Sequence, residues 1–281
     1  MQLKLRPERA GDPRVLARFE REVRATAKLS HWNSIDIYDY GRAEDVTFYY
    51  VMEFLPGHIF GELIGLTGPL PTARIVYLMR QVCEALKEAH EQGLIHRDIK
   101  PANVFCAIRG GLYDVAKLLD FGLAKPLLSS IENEDLSLTQ EGSITGSPLY
   151  MSPEQAAGEN EVDTRSDIYS LGAVMYFLAT GKPPFDYSNP LRVMAAHAGE
   201  IPKNPSERDT DISEKLSQVI LRCLEKRPPD RFPSAQSLHD ALGQIPLETR
   251  WSSEQAAQWW NCHECPERKA RAKSALEMAA Q

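Results

Sequence analysis

The run His96-Arg97-Asp98-Ile99-Lys100-Pro101-Ala102-Asn103, followed seventeen residues after Asn103 by Asp120-Phe121-Gly122, constrains this chain more than any other stretch. Two carboxylates, a carboxamide and an ammonium group at these spacings suit one kind of chemistry. Asp98 can receive the proton of a hydroxyl group, and Lys100 can offset negative charge on a group in flight. Asn103 and Asp120 supply oxygen ligands for hard divalent cations. Together these are the needs of phosphoryl transfer, where the protein aligns an acceptor, takes its proton and neutralises phosphate charge. A fold that uses them must bring residues 98, 103 and 120 to one cleft.

The eight-residue run resembles the catalytic loop of protein kinases, and Asp120-Phe121-Gly122 is similar to their metal-binding triplet. A lysine two residues after Asp98 resembles the serine/threonine branch. Either tripeptide alone is a common polar loop, so the resemblance rests on order and spacing and on further motifs downstream.

Bulk properties agree with an ordinary globular protein. The 281 residues are 43% hydrophobic and 25% charged, enough to build a core. Thirty-two basic against 39 acidic residues give a formal charge of −7, which argues against general nucleic-acid affinity. The five cysteines, at 83, 106, 223, 262 and 265, are odd in number and scattered, unlike a disulfide framework, so the expected compartment is the reducing cytoplasm. The longest apolar stretch, Leu171 to Ala179, is too short to span a bilayer, and Met1 to Arg6 lacks the apolar segment of a secretory signal.

Periodicity predicts the elements. Met1 to Leu5 alternates as a short strand, and Asp12-Pro13 opens a helix with Val15, Leu16, Phe19, Val23 and Ala27 on one face. Strands are expected over residues 35–40 and 47–52, followed by the break Pro56-Gly57. A core helix runs from Pro71 to His90. Short strands, 104–107 and 115–119, flank the turn Arg109-Gly110-Gly111. Asp163 caps a helix that is apolar nearly all round from Ile168 to Leu178, with Gly181 as its stop. Amphipathic helices follow near 213–225 and 234–242.

The resemblance implies a role for each matching residue. Lys4, at the end of a strand, and Glu22, on the helix that corresponds to helix C, would pair to position nucleotide phosphates. The backbone of Glu53 and Leu55 would meet the adenine edge, with Met52 limiting the pocket. Asp98 would act as base, Lys100 as electrostatic helper, and Asn103 and Asp120 as metal ligands. Ser147, in Gly146-Ser147, would bridge Asp98 and Lys100, and Asp167 would hold the backbone at His96 and Arg97. Ser152-Pro153-Glu154 stands where the family has Ala-Pro-Glu, so Arg231 should meet Glu154. Arg97 would pair with a phosphate on the loop between 123 and 151. Thr139 is the first candidate acceptor there, with Ser143 and Thr145 behind it.

The expected architecture is α+β. It is a two-lobe protein kinase-like fold, with a small antiparallel sheet plus helix C and a larger, mainly helical lobe. Residues 1–54 form an incomplete N-lobe, 55–245 the C-lobe and 246–281 a C-terminal helical tail. The chain departs from the family in one respect: no Gly-x-Gly-x-x-Gly occurs in it, and the two strands joined by that turn have no counterpart before Lys4. The implied activity is transfer of the ATP γ-phosphate, with Mg2+, to Ser/Thr hydroxyls of proteins. The alternative is a catalytically impaired kinase-fold module that docks partner proteins. Cys262-His263-Glu264-Cys265 offers two thiols and an imidazole, one donor short of a structural zinc site. Trp259 and Trp260 are expected to dock the tail on the domain or on another protein.

Overall fold

The computed structural model describes residues 2–4, 26–42, 48–119, 147–158, 162–208 and 212–263. Glu22, Asp120, Thr139, Ser143, Thr145 and most of the helix expected from Asp12 lie outside the described residues. For Lys4 and Ser147 the description is confined to the backbone.

The α+β, two-lobe fold is the one observed. In the small lobe, β1 (Gln2–Lys4), β2 (Ile37–Arg42) and β3 (Phe48–Met52) form an antiparallel sheet in the order β1-β3-β2. Leu3 pairs with Tyr50 and Tyr40 with the same residue from the other side. The sequence places the second strand two residues too early. Ile35 N donates instead to Leu118 O (3.1 Å) and Leu118 N to Asn33 O (2.7 Å), so residues 33–35 serve the junction with the large lobe before the strand begins. Glu88 fastens the same segment by accepting from Ser30 N (3.1 Å) and His31 N (3.0 Å).

A second antiparallel sheet underlies the cleft on the large-lobe side: β4 (Gly57–Ile59), β5 (Val104–Arg109) and β6 (Leu112–Leu118). The β5–β6 hairpin turns at Gly110 (φ 58°) and Gly111 (φ 80°), the two positive φ values that a tight hairpin requires. Periodicity missed β4 and the helix that follows it directly, α1 (Phe60–Thr67), because three and eight residues give too little pattern to read. The helix is held nonetheless by burial of Phe60, Leu63 and Ile64.

Helix α2 (Thr72–Glu91) buries Ile75, Leu78, Met79, Val82, Leu86 and Ala89 on the predicted face, and Cys83 with them. After the four-residue α3 (Pro153–Ala156), α4 (Thr164–Thr180) is the axis of the lobe. Asp163 accepts from Arg165 N (2.8 Å) at its start, and every residue from Ser166 to Tyr176 is buried. Such a helix is enclosed by neighbours on all sides, as its apolar circumference demands. Helix α5 (Pro190–Gly199), which the sequence left unassigned, starts on the Asn189 cap. The short α6 (Pro205–Arg208), then α7 (Glu214–Cys223) and α8 (Ala235–Gly243), complete the shell. Gly172 marks a close crossing of α4 and α7, since a Cβ there would lie 2.5 Å from Cys223 Cβ. Last, α9 (Ser253–His263) lies against β6, with Ala256 and Trp260 buried. Among the described residues no helix is long and apolar enough to cross a membrane.

Candidate active site

The loop between α2 and β5 holds its polar groups in a fixed cluster. Lys100 Nζ donates to Asp98 Oδ2 (2.8 Å), and Asn103 Nδ2 donates both to Asp98 Oδ2 (3.0 Å) and to Asp98 O (2.8 Å). The Asp98 side chain keeps 16% exposure and Lys100 22%, so the carboxylate is ordered by its partners yet still reachable from solvent. With Nδ2 committed to Asp98, the Asn103 carboxamide presents its oxygen elsewhere. The backbone draws the next segment in: Leu119 N donates to Asn103 O (2.9 Å), which sets the residue before Asp120 beside Asn103.

Asp167, 1% exposed, organises this loop from beneath. It accepts from His96 N (2.9 Å) and Arg97 N (2.9 Å), and His90 Nε2 lies 2.8 Å from its Oδ2. Arg97 adopts φ 63°, a left-handed conformation that costs a non-glycine residue energy and is stabilised here by those bonds. The His96 ring links the loop to β6. Its Nε2 lies 2.7 Å from the carbonyl oxygen of Leu119, which only accepts, so the proton sits on Nε2 and Nδ1 accepts from Asp98 N (3.3 Å).

A second buried group braces the segment that follows the loop between the motifs. Arg231, 1% exposed, donates from Nη1 to Glu154 Oε1 (2.7 Å) and from Nη2 to Glu154 Oε2 (2.8 Å). Ser166 Oγ also donates to Glu154. Burial pushes the Glu154 carboxyl up, but the bonds from Arg231 and Ser166 outweigh it and leave it below the ordinary carboxylate value. Gln155 Nε2 donates to Arg97 O (2.8 Å), so this brace reaches the loop itself.

At the junction of the lobes, Met52 and Glu53 are buried and Leu55 is half-buried. Glu53 N donates to Asp36 O (2.9 Å), so what the backbone of residue 53 can offer a ligand edge is its carbonyl oxygen. The Glu53 side chain points to a partner that the sequence reading did not find. Lys117, fully buried in β6, donates from Nζ to Glu53 Oε1 (2.6 Å) and to Ser34 O (2.8 Å). Burial lowers the Lys117 pKa, and its hydrogen bond to Glu53 opposes that shift. A signal was present in the sequence: a lysine inside the apolar run Val115 to Leu119 must be paired once the strand is buried.

The described part of the site therefore brings together Asp98, Lys100, Asn103, His96, Arg97 and Asp167, with Glu154 and Arg231 behind them. Lys4 stands in β1 next to β3, while Glu22, Asp120 and the three candidate phosphate acceptors lie outside the described residues. Among the described residues no cluster of three or more His, Cys, Asp or Glu side chains is arranged to hold a metal ion. Asn103, with Nδ2 committed to Asp98, keeps an amide oxygen of the kind that suits a hard cation.

Comparison with known proteins adds an independent line. A family model described as protein kinase domain matches residues 3–242. The chain is 39% identical over 248 residues to serine/threonine-protein kinase pkn3 of Myxococcus xanthus, covering 88% of this chain and 45% of that protein. It is 38% identical over 241 residues to serine/threonine-protein kinase PknB of Mycobacterium leprae, covering 85% and 37%. It thus spans less than half the length of these curated relatives. The crystal structure of the Mycobacterium tuberculosis PknI kinase domain superposes with a TM-score of 0.66 at 28% identity, covering 86% of this chain and 84% of that one.

Proposed function

Since this chain belongs to the protein kinase domain family, we propose that it is a serine/threonine protein kinase of the bacterial eukaryotic-like group, moving the ATP γ-phosphate to Ser or Thr hydroxyls of proteins. The observation that carries this reading is the Asp98, Lys100 and Asn103 cluster, locked by its own hydrogen bonds and by Asp167. Asp98 receives the proton of the acceptor hydroxyl. Lys100, already within hydrogen-bond reach of Asp98, offsets charge on the phosphoryl oxygens. Asn103 and Asp120 would hold Mg2+, which when bound neutralises phosphate charge. Met52, Glu53 and Leu55 would border the adenine, and Lys4 and Glu22 the phosphates. Ser147 would steady Asp98 and Lys100. Thr139, Ser143 or Thr145 would carry an activating phosphate that Arg97 binds.

The proposed location is the cytoplasm, supported by the thiols of Cys83, Cys106, Cys223 and Cys262, all free. The test is transfer of labelled γ-phosphate to a generic basic protein, with Asp98→Asn as control. Losing the base should lower the rate by about 10²- to 10⁴-fold. The alternative, a kinase-fold module that docks partners without transferring phosphate, requires equal signals from the two proteins.

A further inference from the structure

Trp251, Trp259 and Trp260 lie beyond residue 242, where the match to the family model ends. They converge on one buried ion pair, Asp114 with Arg74. Asp114, fully buried in β6 with φ 55°, accepts from Arg74 Nε (2.8 Å) and Arg74 Nη2 (2.8 Å). It also accepts from Trp251 Nε1 (2.8 Å), Trp260 Nε1 (2.7 Å) and Cys106 Sγ (3.2 Å). A carboxylate has about four lone-pair sites, so Asp114 is saturated, and two of its donors come from the segment past the domain. Arg74 is 1% exposed, with its guanidinium carbon 4.1 Å from the Trp259 ring centroid and 4.9 Å from that of Trp251.

An ion pair this deep has lost its water, and the indoles replace it. If residues 251–263 withdrew, the carboxylate would give up two charge-assisted bonds and the guanidinium both of its ring contacts. The segment 251–263 is therefore built into the domain.

Its position gives it leverage. The Trp260 ring stacks on His58 with centroids 5.3 Å apart and planes 20° apart. His58 lies three residues past Leu55 in β4, and it pairs with Cys106, itself a donor to Asp114. Pro56 O accepts from Ile108 N (2.9 Å), tying the end of the lobe junction to β5. Asp114 lies six residues ahead of Asp120 on the strand that leads to it. One indole thus joins the strand leaving the adenine-binding segment to the strand approaching the metal-binding aspartate.

We propose that α9 is an inbuilt bracket that fixes these strands from behind the cleft and so sets the affinity for nucleotide, with Asp114 and Trp260 as positioning residues. The proposal rests on the kinase reading above. Its test uses the full chain and three variants: Trp260→Phe, which keeps an aromatic ring but loses the N–H, Asp114→Asn, and His58→Leu. The KM for ATP and the Kd for a non-hydrolysable ATP analogue should each rise about fivefold or more, the low end of ordinary coupling between sites. The kcat and the KM for protein substrate should hold, while amides of residues 57–59 and 114–118 exchange faster.

A purely architectural role would lower the folded fraction, and with it the apparent kcat, at unchanged KM for ATP. That result overturns the bracket. Should Asp114→Asn fail to fold, the two milder variants decide. A wild-type chain that binds no nucleotide defeats the kinase reading and the affinity claim with it. A wild-type chain that binds the analogue no more tightly than Trp260→Phe and His58→Leu defeats the bracket alone.

Discussion

Replacing Arg231 by alanine removes a guanidinium whose five N–H groups are all engaged. Two reach Glu154, and the others donate to Glu225 O (2.8 Å), Arg165 O (3.0 Å) and Lys226 O (2.8 Å). What remains is a carboxylate that is only 5% exposed, with Ser166 as its remaining side-chain donor. Breaking a buried pair from one side costs about 3 to 5 kcal/mol, because the surviving charge stays in the interior. Set against the roughly 5 to 15 kcal/mol typical of a whole domain, about a fifth or more of the stability would go. For a domain of this size the melting temperature should fall by roughly 6 to 20 °C. The assay is a thermal or urea melt of wild type, Arg231→Ala, Glu154→Gln and the double variant. The double variant should lose much less than the sum of the singles, because removing both charges leaves none stranded. A soluble Arg231→Ala protein that melts cooperatively within about 2 °C of wild type, too small a shift for any buried-pair cost, would refute the reasoning.

Acid should destabilise the domain well before its carboxylates titrate in bulk. Burial, helped by the Lys226 ammonium, lowers the His197 pKa from 6.5 to about 4. Between those values the unfolded chain holds a proton that the folded one refuses, so stability falls as pH drops through that window, by roughly 3 kcal/mol in total. Urea melts at pH 7 and pH 5 should show most of that loss in wild type and a smaller one in His197→Asn; equal losses would remove His197 as the cause. Glu154, held below its ordinary value, adds a further loss at lower pH, beginning as the unfolded carboxyl takes a proton and complete once the folded one does too. Gly172→Ala places a methyl 2.5 Å from Cys223 Cβ, and forcing α4 and α7 apart should cost about 1 to 3 kcal/mol. A Gly172→Ala protein as stable as wild type in a urea melt would mean the crossing can open freely.

Long elements were legible because their periodicity repeats: α2 and α4 lie within a residue or two of where the apolar spacing puts them. Short ones were not. β4, α1 and α5 are held by neighbours more than by their own pattern, and β2 starts late because residues 33–35 are taken by the large lobe. The loop residues His96 to Asn103 could be named in advance, since their chemistry depends on residue type and local spacing. The arrangement of their hydrogen bonds could not, because Asp167 and Leu119 arrive from elements 71 and 23 residues away from His96.

The amino-acid order alone thus determined the class of fold, the main helices and which side chains could perform the chemistry, all properties carried by neighbours along the chain. Only the tertiary structure decided where the lone buried charges went: Lys117 to Glu53, and Asp114 to Arg74 and two tail tryptophans. A charge in an apolar run announces that it needs a partner once water is excluded. It does not say which one, because that choice is made by packing distant segments against each other and is written in no local pattern.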